Sequence, residues 1–155
     1  MVLLGAVAVA ARRTERDTEW AMSEENIELF SRAVEAFNQR DVETLVEITT
    51  PDFEFVPYLA TLIETTTYWG HEGLKEYLAD ADSAWEEIHV RLDDVRDAGD
   101  GLIYSSGELY GRGRASGLEV RVPLAWVSEI SDGNFTRIQS YQTVAEALKA
   151  AGLSE

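Results

Sequence analysis

Leu102-Ile-Tyr-Ser-Ser-Gly-Glu-Leu-Tyr110, Gly111-Arg-Gly-Arg-Ala-Ser-Gly117, Leu118 to Ile130, Asp132-Gly133 and Phe135 to Gln142 form one run, and its reading decides the fold. Three apolar, β-branched or aromatic segments are separated by glycine loops. Asp132-Gly133 between two of them is a strong hairpin signal, because glycine supplies the positive φ of a primed turn. Thr143-Val-Ala-Glu146 then fits a capping box, and Gly152 stands where a short helix needs a left-handed end. The run reads as long antiparallel strands closed by a helix.

The informative stretch begins at Asp97-Ala-Gly-Asp-Gly-Leu102. Ile88, Val90 and Leu92 alternate with His89, Arg91 and Asp93, the period of a half-exposed strand. Leu74, Tyr77, Leu78, Ala81 and Trp85 share one face of a helix. Residues 59–70 read as a loop rich in Thr and aromatics, and Asp52 to Tyr58 as a strand. Asp41 caps a short helix carrying Val42, Leu45 and Val46, which Thr50-Pro51 stops. Before it, Ile27, Phe30, Val34 and Phe37 form the buried stripe of a first helix, with Ser23 as its N-cap.

The chain has 155 residues, enough for one domain with a real core, and its net charge is −16 from 29 acidic and 13 basic side chains. That charge repels phosphate backbones and anionic bilayers, so neither nucleic acid nor membrane is an expected partner. With no cysteine and only His71 and His89, a metal site is not expected, nor does any motif ask for a cofactor. Val2 to Ala11 is apolar but too short to span a bilayer, and no Lys or Arg precedes it as a signal peptide requires. Residues 1–22 are therefore expected to be a disordered extension, residues 23–155 the domain, and the location cytoplasmic.

The order helix, helix, strand, helix, four strands and helix carries Phe37-Asn-Gln-Arg-Asp41, Trp69-Gly-His-Glu-Gly-Leu74, Asp97-Ala-Gly-Asp100 and Ala145-Glu-Ala-Leu-Lys-Ala-Ala-Gly152. In this it resembles the SnoaL-like branch of the nuclear transport factor 2 (NTF2-like) superfamily over about residues 23–153. The resemblance implies an α+β cone in which a curved antiparallel sheet wraps three helices around an apolar pocket. It hosts polyketide cyclases, steroid isomerases and epoxide hydrolases, so fold alone does not decide function. Steroid isomerases of the superfamily use a Tyr and two Asp residues to move a proton and hold an enolate oxygen. The matching positions here are Ala33, Pro57 and Ala125, which can do neither. The acid/base Asp of the cyclases matches Ser140, and Thr143 stands where many relatives carry an Asp that caps the last helix equally well.

If position 125 faces inward, alternation places Pro123 and Val127 beside it and puts Val122, Leu124 and Trp126 on the outer face. Thr136, Ile138 and Ser140, and Phe53, Phe55 and Pro57, would face inward on their strands. Tyr58, Tyr68, Trp69 and His71 gather near the expected pocket mouth. The expected ligand-binding set is thus Phe53, Phe55, Pro57, Tyr58, Trp69, His71, Ala125, Val127, Ile138 and Ser140. The same residues would serve equally as a filled core. His71-Glu72 suits the first turn of a helix as well as an acid/base pair. Glu108 shares a strand face with Tyr104 and Ser106, and Arg112 and Arg114 sit in a glycine loop that lacks a dinucleotide fingerprint.

Three readings remain. One is a protein that binds an apolar small molecule without strong chemistry. Another is an isomerase or cyclase-like enzyme with non-standard catalytic residues. The third is a dimeric interaction module. An outward Val122, Leu124 and Trp126 would make a homodimer formed sheet to sheet.

Overall fold

The computed structural model describes residues 2–57 and 67–154, and the side chains of 20–57 and 67–154. The first helix, α1 (Val2–Gln39), runs straight through Ser23, which is therefore inside the helix and not its cap. No Gly or Pro occurs between Gly5 and Pro51, so nothing in the backbone chemistry ends the helix earlier. It stops at Arg40, which takes a positive φ of 58°. Asp41 then caps α2 (Val42–Glu47) as expected, accepting from the Thr44 amide at 3.1 Å and the Thr44 hydroxyl at 2.6 Å. Those two donors hold the Asp41 carboxyl below the ordinary carboxylate range, the hydroxyl contributing most.

The rest is one curved sheet with two further helices. The strands are β1 (Thr49–Val56), β2 (Tyr68–Trp69), β3 (Trp85–Gly99), β4 (Leu102–Gly113), β5 (Glu119–Ser131) and β6 (Asn134–Tyr141). The helices are α3 (Gly70–Ala84), between β2 and β3, and α4 (Val144–Ala150) at the end. The spatial order is β2-β1-β6-β5-β4-β3. Neighbours are antiparallel except for β1 and β6, which run parallel. β1 starts earlier than Asp52, and Pro51 lies where its pairing with β6 slips between Thr49 and Glu54. A proline cannot donate to the ladder, which is why the slip falls there.

The turns follow from glycine. Asp132 and Gly133 have φ of 52° and 79°, two consecutive positive-φ residues, and the β3–β4 turn has three, Gly99, Asp100 and Gly101, at 87°, 53° and 78°. Thr143 caps α4 through the Glu146 amide at 3.1 Å, and Gly152, at φ 75°, ends it. Gly107 has a different task. It lies opposite Leu92, beside the register slip between Leu92 and Asp94, and a Cβ there would come within 2.1 Å of the Arg91 carbonyl. The close approach and the bulge together bend the β3–β4 pair.

That bend gives the sheet two unlike faces. On the inner face Phe30 of α1 packs against Trp126 and Phe135, each with ring centroids 6.2 Å away, and Ile103, Leu124 and Phe53 complete the cluster with Leu74 and Leu78 of α3. On the outer face Tyr104, Ala125 and Val127 are covered by Ala147, Leu148 and Ala151 of the α4 segment. Further along that face, Glu108 pairs with Arg121 at 3.1 Å and Arg91 at 3.7 Å, and His89 stacks on Tyr110 at 4.9 Å.

This corrects the sequence expectation for β5. Leu124 and Trp126 are in the inner core and Val122 packs against it, while Ala125 and Val127 are on the outer side. A strand has period two, so an alignment slip of one residue exchanges the faces of every side chain on it. Val122, Leu124 and Trp126 therefore supply no apolar outer surface for pairing sheet to sheet.

Two polar ties fix α1 to the open edge of the sheet. The Asn38 side chain donates to the Val90 carbonyl and accepts from the Val90 amide, both at 2.8 Å. Arg40 donates to Asp82 of α3 at 2.9 Å and to the Ile88 carbonyl at 3.1 Å. Among the described residues no helix is long and apolar enough to cross a membrane.

Phe135 has no solvent exposure and sits where α1 meets β5 and β6. Phe135→Ala should cost about 3–5 kcal/mol, the range for an emptied aromatic site, read as a lower urea midpoint at unchanged slope. A loss under about 1 kcal/mol would show that the core can collapse around the site.

Candidate functional site

The curvature leaves a cavity of about 580 Å³ between the inner face of the sheet and helices α1 and α3. Alternation along the strands carries Phe53, Phe55 and Pro57 to its wall from β1 and the segment after it, and Ile138 and Ser140 from β6. β5 contributes Leu124 and Trp126. α1 brings Phe30, Ala33 and Phe37 at helical spacing, and α3 brings Leu74, Tyr77, Leu78 and Asp80.

The aromatic wall has a definite geometry. Phe53 and Phe55, two residues apart on one strand face, stack at 6.4 Å with 13° between planes. Tyr77 meets Phe55 edge-on at 4.7 Å and 88°, and Tyr68 edge-on at 5.3 Å and 78°. Phe37 lies 6.1 Å from Tyr77 and carries the Arg40 guanidinium over its other contacts, 4.7 Å from its ring centroid. Perpendicular rings place the positive edge of one against the negative face of the next, the preferred aromatic arrangement.

Polar groups on the wall are few. The Tyr68 hydroxyl donates to the Asp80 carboxylate at 2.8 Å, joining β2 to α3 at the exposed end of the cavity. Thr49 is satisfied by the Leu45 carbonyl at 2.8 Å, and Ser140 is buried at 3 % exposure. Burial, then the Asp80 hydrogen bond and charge, pushes the Tyr68 phenol up to about 12. Burial pushes Tyr77 up to about 12 as well, with a smaller contribution from Tyr68. Both phenols are thus neutral hydrogen-bond groups over the whole physiological range.

Of the residues proposed from sequence, Phe53, Phe55, Pro57, Ile138 and Ser140 come together on this wall. Tyr58 lies outside the described residues. Trp69 is 62 % exposed and does not line the cavity. His71 is in the first turn of α3, donating its Nε2–H to the Thr49 carbonyl at 3.2 Å, so it ties helix to strand. Ala125 and Val127 are a correction: they pack under α4 on the far face. Of the inward neighbours, Leu124 has no polar group, whereas Trp126 carries an indole N–H that can donate a hydrogen bond but not a titratable acid.

Glu108 is half-buried in its ion pairs on the outer face, away from the cavity. Arg112 pairs with Glu86 and Glu87, and Arg114 donates to the Asp82 and Trp85 carbonyls, so both brace the end of α3 and the start of β3. Among the described residues no group of three or more His, Cys, Asp or Glu is placed to hold a metal ion.

Sequence reasoning missed Asp80. Its position three residues after Tyr77 on the α3 face was a usable signal, but the apolar stripe of that helix hid it. It also missed Leu124 and Trp126, through the register slip.

The two tyrosines set a pH dependence. The unfolded chain loses phenolic protons near pH 10, while folded Tyr68 and Tyr77 hold theirs to about 12. Stability from this source is complete below about pH 10 and is lost as pH rises from there toward 12, because the unfolded state then binds fewer protons. Urea midpoints taken between about pH 9 and 11 should fall more steeply for the parent than for Tyr77→Phe. Parallel slopes would show that Tyr77 titrates normally.

A model of the SnoaL-like domain matches residues 30–138. Solved structures agree on the fold. An NTF2-like protein of unknown function from Burkholderia pseudomallei K96243 aligns with a TM-score of 0.68 at 16% identity, over 81% of this chain and 95% of that one. A candidate SnoaL-like polyketide cyclase from Jannaschia sp. CCS1 aligns at 0.67 and 15%, over 86% and 95%. An LEH-like epoxide hydrolase from M. tuberculosis aligns at 0.65 and 15%, over 84% and 91%. No curated protein matches the chain. The fold is that of NTF2-like proteins, and the family match spans the first helix stripe, most of the cavity wall and the last strand to Ile138: the chain belongs to the SnoaL-like family.

Proposed function

We propose that this protein binds an apolar small molecule in the cavity between α1, α3 and the sheet. The observation that carries this reading is the cavity itself: about 580 Å³, walled by aromatic and aliphatic side chains with a few polar groups. Cavities of that size and composition suit drug-sized, ring-bearing ligands, in which apolar burial supplies affinity and isolated polar groups set orientation. At the two isomerase positions that line it, Ala33 and Pro57 offer no proton-transfer group, which favours binding over that chemistry.

A second reading, an isomerase- or cyclase-like enzyme, draws on one observation. Tyr68 and Asp80 form a hydrogen-bonded pair of an acid and a base on the cavity wall. Such a pair could relay a proton to a ligand carbon or oxygen within reach. A homodimer, if formed, would meet through an outer face on which Arg91, Glu108 and Arg121 alternate in sign, so its association should weaken with salt.

Nile red, an uncharged ring-bearing dye, tests the binding reading. The parent should bind it with blue-shifted emission, and Ala33→Trp, which puts an indole into the cavity from α1, should bind at least about tenfold more weakly. Equal binding by a folded Ala33→Trp would place the ligand elsewhere and overturn the reading.

A further inference from the structure

We propose that the ligand of this cavity carries a cationic ammonium head, seated at the open end between the Asp80 carboxylate and the rings of Tyr68, Tyr77 and Phe55, with its apolar body against the inner wall. The inference rests on the binding reading above and adds the charge of the ligand to it.

The first observation is electrostatic. Asp80 is the one charged side chain on the cavity wall among the described residues. Among the described residues no Arg, Lys or His is paired with it, and its one hydrogen bond is the donation from Tyr68 at 2.8 Å. A carboxylate has about four lone-pair positions, so most of its accepting capacity is open. Glu76, one turn earlier on α3, adds to the negative field at Tyr68. Arg40, beside Phe37, does not line the cavity and is held by Asp82 at 2.9 Å and by two backbone carbonyls. An anionic ligand would meet the Asp80 carboxylate at this end, offset in part by the Arg40 charge felt at Tyr77, and the chain's net charge of −16 opposes its approach at longer range.

The second observation is the shape of the aromatic wall. Phe55 and Tyr68 stand at 88° and 78° to Tyr77, so the three rings form the walls of a corner and not a stack. A corner of this kind offers ring faces from more than one side, which is how aromatic groups hold an ammonium by cation–π attraction. Arg40 over the Phe37 ring, 4.7 Å from the centroid, already makes that type of contact at the edge of the same cluster. The tyrosine hydroxyls do not compete for the role, since both phenols stay neutral.

The test compares three naphthylmethyl probes of similar size by calorimetry: a trimethylammonium, a methyl ether and a carboxylate. The trimethylammonium should bind the parent about 5- to 30-fold more tightly than the ether, and the carboxylate should bind weakest. Asp80→Asn keeps an acceptor for Tyr68 and sits at an exposed position, so it should fold. It should remove most of the preference for the cation while leaving ether binding within about twofold, and Asp80→Glu should restore part of it. An ether that binds as tightly as the cation, or a preference that survives Asp80→Asn, overturns the charge assignment and leaves the cavity reading intact. The same holds if Nile red binds and none of the three probes does. Failure of Nile red and all three probes overturns both readings.

Discussion

The contact on which the structure depends is that of Phe30 with Trp126 and Phe135. It is where the first helix meets the two strands that cross the middle of the sheet, and it fixes which face of β5 is the inner one. Once that face is set, the period of two along each strand determines every other wall position. The aromatic rings also act as spacers. Bulky side chains near the strand centre hold α1 off the sheet, and the opposite end, where Phe55, Tyr77 and Tyr68 stand edge to face, remains open.

Polar groups take up what the core cannot. Asn38 closes both hydrogen-bonding positions of Val90 on the β3 edge, and Arg40 links the end of α1 to α3 and β3 at once. An unpaired strand edge invites association, and a side chain that satisfies its backbone groups removes part of that template. These ties are why Phe37-Asn-Gln-Arg-Asp41 is informative as a sequence: each of its residues after the first has a fixed geometric task or ends an element. The charge distribution is equally divided by face. Mixed-sign ion pairs occupy the outer surface of β3 to β5, whereas among the described residues the cavity wall has a single acidic side chain.

Much of this was legible beforehand. The Asp132-Gly133 hairpin, the Asp41 and Thr143 caps and the glycine end of α4 are local, and each depends on the conformational preference of one or two residues. The inward side of β1 and of the end of β6 was also readable, because Phe53 with Phe55 and Ile138 with Ser140 alternate against polar neighbours. But Thr136, expected inward, is off the wall and Phe135 is on it, next to the register shift at Glu129 and Ile130. β5 was not. Val122 to Val127 is apolar on both faces, since α4 covers one side and α1 the other, so composition carries no sign of which residues point inward. The helix start expected at Ser23 failed for a related reason. Ser23 is a good cap wherever a helix begins, but a capping residue does not interrupt a sequence otherwise free of helix breakers.

The sequence by itself determined the order of elements, the turns, the acidic charge and the absence of the usual proton-transfer groups at Ala33 and Pro57. These follow from residue identity and short-range geometry. Only the tertiary structure decided the face of β5, the parallel pairing of β1 with β6, the assignment of His71 to a structural tie, and the meeting of Tyr68 with Asp80 across twelve positions of chain. Those depend on how the bent sheet brings distant segments together, and nothing in the residues taken singly encodes the distance between them.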